Sequence, residues 1–586
     1  MATREMARVS RRRWLLTLGL LALGGGGLWL VWPGPPPVSQ RRTLPLPDEL
    51  AARCEEFAPR VEEAAPGVFI AIGHELANTI VIRTSAGNVV VDPGMDPVRA
   101  ALTRDALLAR SPGPVLALVY THSHIDHVGG ASAWTADDPQ IWATDAFHEH
   151  FLKQYGAFRG AEARRGEHQF GRSVGVDLLP CTAIGPRPDF AGAGITGARM
   201  PTSSFSGLQT LRFGDTPIEL HEAHGETHDQ LFVWLPERSV LLPGDNYYAA
   251  FPNLYTIRGT SPRPVRSWID SLDRMRRLAP EHLLPAHTLP LHGRAEIAAA
   301  LTEYRDAIAW VRAEVVRGAN AGLDVDTLAA RIGLPPALAG RPALVERYGQ
   351  IDWSVRAIYA AELGWFDERP EQLYPVPDAD AREVALMGGS AAVLRQAEAA
   401  LTAGDPRWAL HLLAKLRGDP IAGEPAWRAA MTRALGTTGE QVHNTNGRAY
   451  LLEAAARMQG TPPPLAVTVD DGLLAGLPID VFFAAMEARL IPERAAGAHA
   501  SIEVEFSDSD ARFVVTVRHG TAELVRGEPL PGTPPPVARV TTDTTTWKRL
   551  ALQQDSAVWA LLGDRLEVEG GLLALRSFLE MFQRGP

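Results

Sequence analysis

Short apolar runs separated by turn residues mark the first half of the chain. GVFIAIG at 67–73, NTIVIRTSAG at 78–87 and NVVVDPG at 88–94 are rich in valine and isoleucine and end in glycine or proline. Such runs predict strands. A helical pattern at 96–112 then leads into the apolar run VLALVY at 115–120. The pattern therefore predicts a β-rich opening followed by βα units, that is, a sheet covered by helices.

Apolar runs reappear further along the chain and extend this prediction. TPIELHEAHG, QLFVWLP, SVLLPGDN and HLLPAHTLPLHG lie at 216–225, 230–236, 239–246 and 282–293. The stretch from about 171 to 210 between the two sets is rich in Gly, Pro and Ser and has no clear period. Long loops of this kind often form lids or the walls of binding sites, and we expect that role here.

The pattern changes to alanine- and leucine-rich helices in the middle of the chain and returns to strands near its end. AVLRQAEAALTAGDPRWALHLLAKL at 392–416 predicts two antiparallel helices with a turn at Gly404. Strand patterns at 500–507 and 512–520 alternate with helical ones behind a proline cluster. This order predicts an α+β unit.

The length of the chain calls for several domains, because 586 residues exceed the size that one core usually reaches. Apolar residues make up 46% and charged residues 21%, which is a globular composition. The patterns divide the chain into four parts. They are an apolar N-terminal segment with a proline-rich linker at 1–47, a β-rich part at 60–300, a helical part at 301–455 and an α+β part at 462–586.

The N-terminal segment has the composition of a signal or a membrane anchor. Residues 14–32 carry no charge and follow arginines at 4, 8, 11, 12 and 13. A helix of this length can just span a bilayer, and the arginines would stay on the cytoplasmic side. The segment also resembles a twin-arginine signal, but PGPPP stands where an A-x-A cleavage site is expected. We expect a retained transmembrane signal anchor, with the remainder membrane-anchored or exported on the extracytoplasmic side and no other membrane contact.

Charge and cysteine content exclude two classes of function. The 57 Lys and Arg residues against 68 Asp and Glu give a formal net charge of -11, which argues against nucleic acid as a partner. Cys54 and Cys181 are the only cysteines, so neither a disulfide framework nor a thiolate zinc site can organise the fold. A single disulfide between them stays open.

The densest chemistry follows the run VLALVY, in the loop THSHIDHVGG at 121–130. His122 and His124 are two residues apart, so in an extended loop they point the same way, while Asp126 and His127 can turn toward a neighbouring point. One loop can thus supply ligands to two metal ions. Zinc accepts imidazole and carboxylate ligands, and two such ions can activate a shared water as a nucleophile.

Three further ligands are expected from the ends of later apolar runs, because rigid strands hold ligands well. The candidates are Glu226, Asp245 and His287, and Asp245 suits a bridging position between two ions. His224 and His228 are rivals of Glu226, since imidazole is the better zinc ligand by element.

These residues resemble a known group of proteins. THSHIDHVGG is similar to the T-H-x-H-x-D-H signature of the metallo-β-lactamase fold, which implies an αββα sandwich with a binuclear metal site at one edge of its sheets. Further stretches resemble the alkyl sulfatase family within that fold. They are GDN at 244–246, NLYTIRG at 253–259, AHTLPLHG at 286–293, YGQIDWSVRAIYAAELGWFD at 348–367 and LMGGSAAVLRQAEAALTAGDPRWALHLL at 386–413.

The resemblance covers roughly residues 60–586 and implies an architecture of three domains. Residues 60–300 would form the metallo-β-lactamase-like catalytic domain of α/β class. Residues 301–455 would form a helical dimerisation domain, and residues 462–586 an α+β domain like sterol carrier protein 2. A homodimer is therefore expected.

The resemblance also implies a ligand set for two divalent metal ions, which we expect to be zinc. His122, His124 and Glu226 would bind one ion, and Asp126, His127 and His287 the other, with Asp245 between them. This chain departs from the better-known members in reading GETHDQ and GDN around its two later acids. Asp126 and Asp245 would be catalytic through the metals, and His228 would be the acid for the leaving alcohol.

The implied reaction is the hydrolysis of an alkyl sulfate to an alcohol and sulfate. Arg258 offers a planar fork to two sulfate oxygens, Asn253 can donate a further hydrogen bond, and Tyr255 would line the site. The segment LEVEGGLLALRSFLEMF at 566–582 resembles the end of a domain that encloses an apolar tunnel, which suits the tail of an amphiphilic anion.

Two alternatives stay open. One is a hydrolase of the same fold that acts on another anionic ester, such as a phosphodiester, a lactone or a thioester. The other is a non-catalytic lipid-binding protein that uses the apolar tunnel.

Overall fold

Two β-sheets, formed by the part of the chain that begins at residue 60, pack face to face. The structure is a computed structural model and describes residues 46–190, 195–463, 465 and 468–583. The strands of the first region are β1 (Arg60–Ala65), β2 (Val68–Ile72), β3 (Thr79–Arg83), β4 (Asn88–Val91), β5 (Val115–Val119), β6 (Gln140–Thr144), β7 (Ile195–Thr196), β8 (Ser203–Phe205), β9 (Leu208–Phe213), β10 (Thr216–Glu222), β11 (Leu231–Leu235), β12 (Val240–Leu242), β13 (His282–Leu283) and β14 (Leu291–His292). Within the described residues, all of these except β7 form a seven-stranded sheet, β1-β2-β3-β4-β5-β6-β8, and a six-stranded sheet, β14-β13-β12-β11-β10-β9.

Strands β3 and β4 are buried on both faces, which explains why their sequences are continuous apolar runs rather than alternating ones. Ile80 and Val89 point toward the second sheet and share a core with Val233. Val81 and Val90 point to the opposite face and belong to an outer core under helices. Two separate cores therefore lie on the two faces of one sheet.

Helices cover the outer face of each sheet. They are α1 (Leu46–Glu55), α2 (Pro97–Arg110), α3 (Ile125–Val128), α4 (Phe147–Leu152), α5 (Arg159–Gln169) and α6 (Val265–Leu278), with short helical turns at Ala131–Trp134, Lys153–Ala157 and Gly244–Asn246. Leu107 of α2 packs on the first sheet, and Trp268 and Leu272 of α6 pack on the second. This helix-sheet-sheet-helix order is the αββα sandwich that the sequence predicts, so the fold class is confirmed.

A helical region follows the sandwich. Its helices are α7 (Arg294–Asn320), α8 (Val325–Arg331), α9 (Ile351–Leu363), α10 (Ala379–Leu386), α11 (Ser390–Thr402), α12 (Pro406–Lys415), α13 (Pro425–Gln441) and α14 (Thr445–Arg457), with short turns at Pro342–Leu344, Pro370–Gln372 and Pro420–Gly423. Helices α11 and α12 are the pair predicted around Gly404. Asp405 begins α12 by accepting a hydrogen bond from the Trp408 amide at 3.0 Å.

The last region is the α+β unit that the sequence predicts. It contains β15 (Thr468–Val469), α15 (Asp471–Gly476), α16 (Ile479–Arg489), α17 (Pro492–Ala495), β16 (His499–Phe506), β17 (Arg512–Arg518), β18 (Thr521–Arg526), β19 (Pro536–Thr542), α18 (Thr544–Ala551), α19 (Ala557–Leu562), β20 (Leu566–Gly570) and α20 (Leu572–Leu579). Strands β18-β17-β16-β19-β20 form one sheet. Phe483 of α16 stacks on Phe513 of β17 at 4.0 Å between ring centroids, so α16 is anchored on this sheet.

The last region is also joined to the long segment at 171–210. Strand β15 pairs in parallel with β7, which lies inside that segment. Arg199 donates to the Asp470 carboxylate at 2.7 Å directly beside this pairing. The segment therefore connects the catalytic region to the C-terminal one instead of forming a free loop.

A disulfide holds the beginning of the segment. Cys54 of α1 and Cys181 are bonded, and they are 127 residues apart in sequence. Their neighbours Leu50 and Leu179 form a small core together with Leu452 of α14. The disulfide thus ties α1 and the segment to the helical region.

Removing this disulfide should destabilise the sandwich, because closing so long a loop restricts the unfolded chain. For Cys54→Ala with Cys181→Ala we expect the free energy of unfolding to fall by about 2–5 kcal/mol. Calorimetry should show an earlier transition, and dithiothreitol should have no further effect on the variant. An unchanged transition in the variant would contradict the prediction.

The expected membrane-spanning signal anchor is not borne out by the described residues. None of the helices that the structure describes combines the length and the apolar character needed to cross a bilayer. The stretch that prompted the expectation, residues 14–32, lies outside the described residues.

Candidate metal centre and its cavities

The candidate ligands lie where neighbouring parallel strands end. Strands β4 and β5 pair in parallel, and Asp92 and Thr121 follow them at the same edge of the sheet. The Thr121 amide and hydroxyl both donate to the Asp92 carboxylate at 2.9 Å. A Cβ atom on Gly129 would lie 1.9 Å from the Met95 carbonyl oxygen, so the loop can make its turn here only with glycine.

Six histidine and aspartate side chains from this edge form two groups that could each hold a metal ion. In each group the ligand atoms lie within 4.8 Å of one another, and the groups are His122, His124 and Asp245, and Asp126, His127 and His287. His122 Nε2 and His124 Nδ1 are 2.7 Å apart. His287 Nε2 lies 3.4 Å from Asp126 Oδ2 and 3.3 Å from Asp245 Oδ2, so Asp245 adjoins both groups.

Hydrogen bonds behind the rings fix which nitrogen faces the centre. His287 Nδ1 donates to the Leu76 carbonyl oxygen at 2.9 Å, which leaves the lone pair on Nε2. His127 Nδ1 is 2.8 Å from the Asp92 carboxylate. Such outer partners orient metal-binding imidazoles and raise their basicity.

Two buried atoms at the centre show that the residues fit a metal cation. His127 Nε2 and Asp245 Oδ1 lie 3.4 Å apart, and neither has a hydrogen-bond partner. Burying such atoms unpaired is costly, and a cation between them would satisfy both. Imidazole nitrogen with carboxylate oxygen is a donor set that suits zinc and similar divalent ions.

The pKa values of the cluster agree with a cation site. Burial, with His127 close by, holds the pKa of His122 well below its usual value, so its ring is neutral and able to bind a metal. Burial alone would raise the pKa of Asp245, but His287 and His127 hold it well below its usual range. Burial would also lower the pKa of His127, yet Asp245 and Asp126 raise it well above normal. The ionised carboxylates of the cluster therefore attract positive charge, whether a proton or a metal cation.

Glu226 is not part of either of these two groups, and its role as a metal ligand stays a prediction. Its carboxylate pairs instead with the buried guanidinium of Arg263, which neutralises its charge. Burial, opposed by Arg263, raises the pKa of Glu226 to about 7. Asp245 takes the third place beside His122 and His124.

The rivals of Glu226 lie outside the cluster as well. His224 Nε2 bonds the Glu222 carboxylate at 2.8 Å. His228 stacks on His150 with 5.3 Å between ring centroids. His228, expected as the acid, lines a second cavity beside the one that contains the metal ligands.

Arg258 and Asn253, expected to bind substrate, lie beside the cluster. Arg258 Nη2 is 3.1 Å from His124 Nε2, and its other terminal nitrogen pairs with Glu162. Asn253 is buried, and its side-chain oxygen has no hydrogen-bond partner. Both side chains line the same cavity as the metal ligands, whereas Tyr255 lines the neighbouring one.

The cavity at the metal ligands, called the larger cavity below, has a volume of about 670 Å³. Its floor carries four of the metal ligands, and its far wall comes from the C-terminal region. That wall is largely apolar and includes Leu473, Leu477, Val481, Phe482 and Ala485. Phe190 from the segment at 171–210 completes it, so this segment forms part of a binding wall as expected.

Sequence reasoning missed four residues of the site. Tyr348 from the helical region and Glu162 of α5 line the larger cavity, and Arg263 pairs with Glu226. These three carry no local signal. Asp92 does, because it directly follows the buried strand β4.

Comparison with known proteins agrees with the geometry. Residues 72–287 match the model of the metallo-beta-lactamase superfamily, residues 324–461 that of alkyl sulfatase dimerisation, and residues 467–586 that of the alkyl sulfatase C-terminal domain. A paired-sheet sandwich with histidines and aspartates clustered at one edge defines a metallo-β-lactamase-fold protein.

The relatives narrow this class. A linear primary-alkylsulfatase of Pseudomonas sp. (strain ATCC 19151) is 30% identical over 527 residues, which cover 86% of this chain and 98% of the relative. An (R)-specific secondary-alkylsulfatase of Pseudomonas sp. is 28% identical and covers 78% of this chain and 71% of its own length. The solved structure of the stereoselective inverting sec-alkylsulfatase Pisa1 from Pseudomonas sp. superposes with a TM-score of 0.84 at 25% identity, covering 92% of this chain and 87% of that one. The chain belongs to the alkyl sulfatase family, and the resemblance seen in its sequence is confirmed.

Proposed function

We propose that the protein hydrolyses alkyl sulfate esters to an alcohol and inorganic sulfate with two divalent metal ions, which we infer to be zinc. One observation carries this proposal. Four side chains of the six-residue metal-binding cluster, with an arginine beside them, line the floor of a cavity whose opposite wall is apolar. An anionic ester with an alkyl tail is complementary to this arrangement.

The metal ions would be held by the two groups of the cluster, with Asp245 near both. When bound, such ions polarise an ester and make water nucleophilic near neutral pH. Asp126 and Asp245 keep their negative charge because their pKa values are held well below the usual range by His127 and His287, against the effect of burial. Two carboxylates that stay ionised in a buried site can retain two dications.

The chain's own side chains would position the substrate. The planar guanidinium of Arg258 can bind two sulfate oxygens while it stays next to His124. Asn253 has an unpaired side-chain oxygen in the same cavity and an amide group that can donate to a third oxygen. The tail would lie along Leu473, Val481 and Phe482, where each buried methylene contributes about 0.8 kcal/mol.

Metal-loaded protein should release sulfate from sodium dodecyl sulfate, and exhaustive chelation should stop the release. Bis(4-nitrophenyl) phosphate, a lactone and a thioester should be poor substrates in parallel assays. Rapid turnover of one of these with no sulfate release would favour a hydrolase of another ester. Tail binding without any turnover would favour a lipid-binding protein.

We also infer a homodimer formed through the helical region, which matches a dimerisation model. Large apolar side chains that follow α9 in the sequence are exposed in the single chain. The exposed fraction is 70% for Trp365 and 89% for Tyr374. Exposed apolar patches of this kind mark interfaces.

Trp365→Glu combined with Tyr374→Glu should convert the dimer to a monomer, because two charges would have to be buried. Light scattering at micromolar concentration measures this. Trp559→Glu is the matched control, since Trp559 is 68% exposed but lies in the C-terminal region. A monomeric wild type, or a double variant that stays dimeric, would contradict the inference.

We further infer that the catalytic part works outside the cytoplasm. The Cys54–Cys181 disulfide supports this, because such bonds persist in oxidising compartments and are rare in the cytosol. Fractionation of cells should recover sulfate release in the extracytoplasmic fraction with both cysteines oxidised. Recovery in the cytosol with free thiols would refute the inference.

A further inference from the structure

A second cavity lies behind the metal centre and shares a wall with the larger cavity. This smaller cavity has a volume of about 400 Å³. Lys153, Glu162, Glu226, Arg258 and Arg263 line both cavities. The shared wall therefore contains two ion pairs, Arg258 with Glu162 and Arg263 with Glu226, and the Lys153 side chain.

Helix α5 separates the two cavities. Ala161 and Arg165, four residues apart on one face of the helix, line the smaller cavity. Arg159 and Ala163, also four residues apart, line the larger one. Glu162 lies between the two faces and lines both cavities.

The two cavities differ in charge. Among the described residues that line the smaller cavity, four cations face two carboxylates, and those carboxylates pair with Arg258 and Arg263. Lys153 and Arg165 remain, and neither belongs to an ion pair of the described residues; Lys153 lines both cavities, whereas Arg165 lines the smaller one alone. Arg165 donates only to the Ile257 carbonyl oxygen, at 3.0 Å. The larger cavity has five cations against eight carboxylates along its described lining, before any metal is bound.

The proposed reaction changes the charge of the anion. Water and the alkyl sulfate monoanion give an alcohol, a sulfate dianion and a proton. The alcohol keeps its tail on the apolar wall of the larger cavity. A dianion that left along that wall would lose its hydration without gaining a partner, which is costly.

We propose that the smaller cavity is an anion site that receives inorganic sulfate from the metal centre and releases it to solvent. Arg258 exchanges Glu162 for sulfate at the shared wall, where Lys153 also lies, and Arg165 attracts the dianion on the other side together with Lys153. They attract the dianion more strongly than the monoanionic ester, so product and substrate separate by charge. This inference rests on the proposed sulfatase activity and adds the route of its second product.

The first test is inhibition by added inorganic sulfate during dodecyl sulfate hydrolysis. For Arg165→Gln the inhibition constant should rise by about threefold or more, as expected for loss of one partly exposed charge. Arg159→Gln removes the same charge from the same helix on the side of the larger cavity, and its inhibition constant should stay that of the wild type. Equal inhibition constants in Arg165→Gln and Arg159→Gln would overturn the proposal.

The second test fills each cavity with a larger side chain on α5. In Ala161→Phe we expect a burst of about one equivalent of alcohol in stopped-flow mixing, followed by slow steady-state turnover, because product release becomes limiting. Ala163→Phe should show no burst and should instead change the preference for tail length. A steady-state rate in Ala161→Phe equal to that of the wild type would overturn the proposal.

The sulfatase activity and the sulfate route can be tested separately. If metal-loaded wild type releases no sulfate from any alkyl sulfate, the proposed function fails. If it does, and both Arg165→Gln and Ala161→Phe behave like their partners on the other face of α5, only the sulfate route fails.

Discussion

Replacement of His127 by alanine should abolish sulfate release, with kcat/KM lower by about a thousandfold or more. Its Nε2 atom lies 3.4 Å from both Asp126 and Asp245, so it is central to the cluster. Loss of an outer partner of a metal ligand typically costs about 10–100-fold, and loss of a ligand should cost more. The variant should also bind less metal, since two buried carboxylates lose their neighbour.

Metal content and sulfate release measured on the same sample check this prediction. Asp92→Asn is a graded variant, because it weakens the bond to His127 Nδ1 and leaves the ring in place. His292→Ala is the control, since His292 is exposed on β14 outside both groups. Full activity of His127→Ala with a normal metal content would refute the proposed centre.

Replacement of Arg258 by methionine should raise KM for dodecyl sulfate and lower kcat/KM by about a hundredfold, because truncating one partner of a buried charge pair is costly. Arg258→Lys should recover only part of the loss, since an ammonium cannot form the planar fork. Inhibition by dodecanol should be unchanged, because an uncharged product binds through its tail alone.

The dodecanol measurement separates loss of sulfate binding from damage to the cavity. Glu162 would stay buried without its partner in Arg258→Met, so the double variant with Glu162→Gln is needed as well. Arg266→Met is the control for an arginine in the same part of the chain whose side chain is 67% exposed. Equal losses of dodecyl sulfate and dodecanol binding would show that Arg258 has only a structural role.

The parts of the fold that follow from the sequence are those set by local pattern. Strands β3 to β5 are buried on both faces, so each is an uninterrupted apolar run that stands out between turns. The helix pair around Gly404 is equally local, since a glycine turn and an aspartate cap mark it. Patterns of this kind need no knowledge of distant residues.

The parts of the site that do not follow from the sequence depend on distant contacts. Glu226 is predicted to bind metal, and the sequence around it gives no sign that Arg263, 37 residues away, pairs with its carboxylate. His228, which is predicted to be the general acid, stacks on His150, which lies 78 positions earlier in the chain. Spacing along the chain identifies side chains that are able to bind a metal. Only the packed structure shows which of them form an ion pair with a neighbouring arginine.

The ligands of the metal centre come from residues 122–287, whereas the apolar wall that faces them comes mostly from residues 465–552. On the proposed function, bond cleavage and tail selection are encoded in separate stretches of one gene. Recombination or drift in the C-terminal stretch would then shift the range of detergents accepted, while the hydrolytic residues are inherited unchanged.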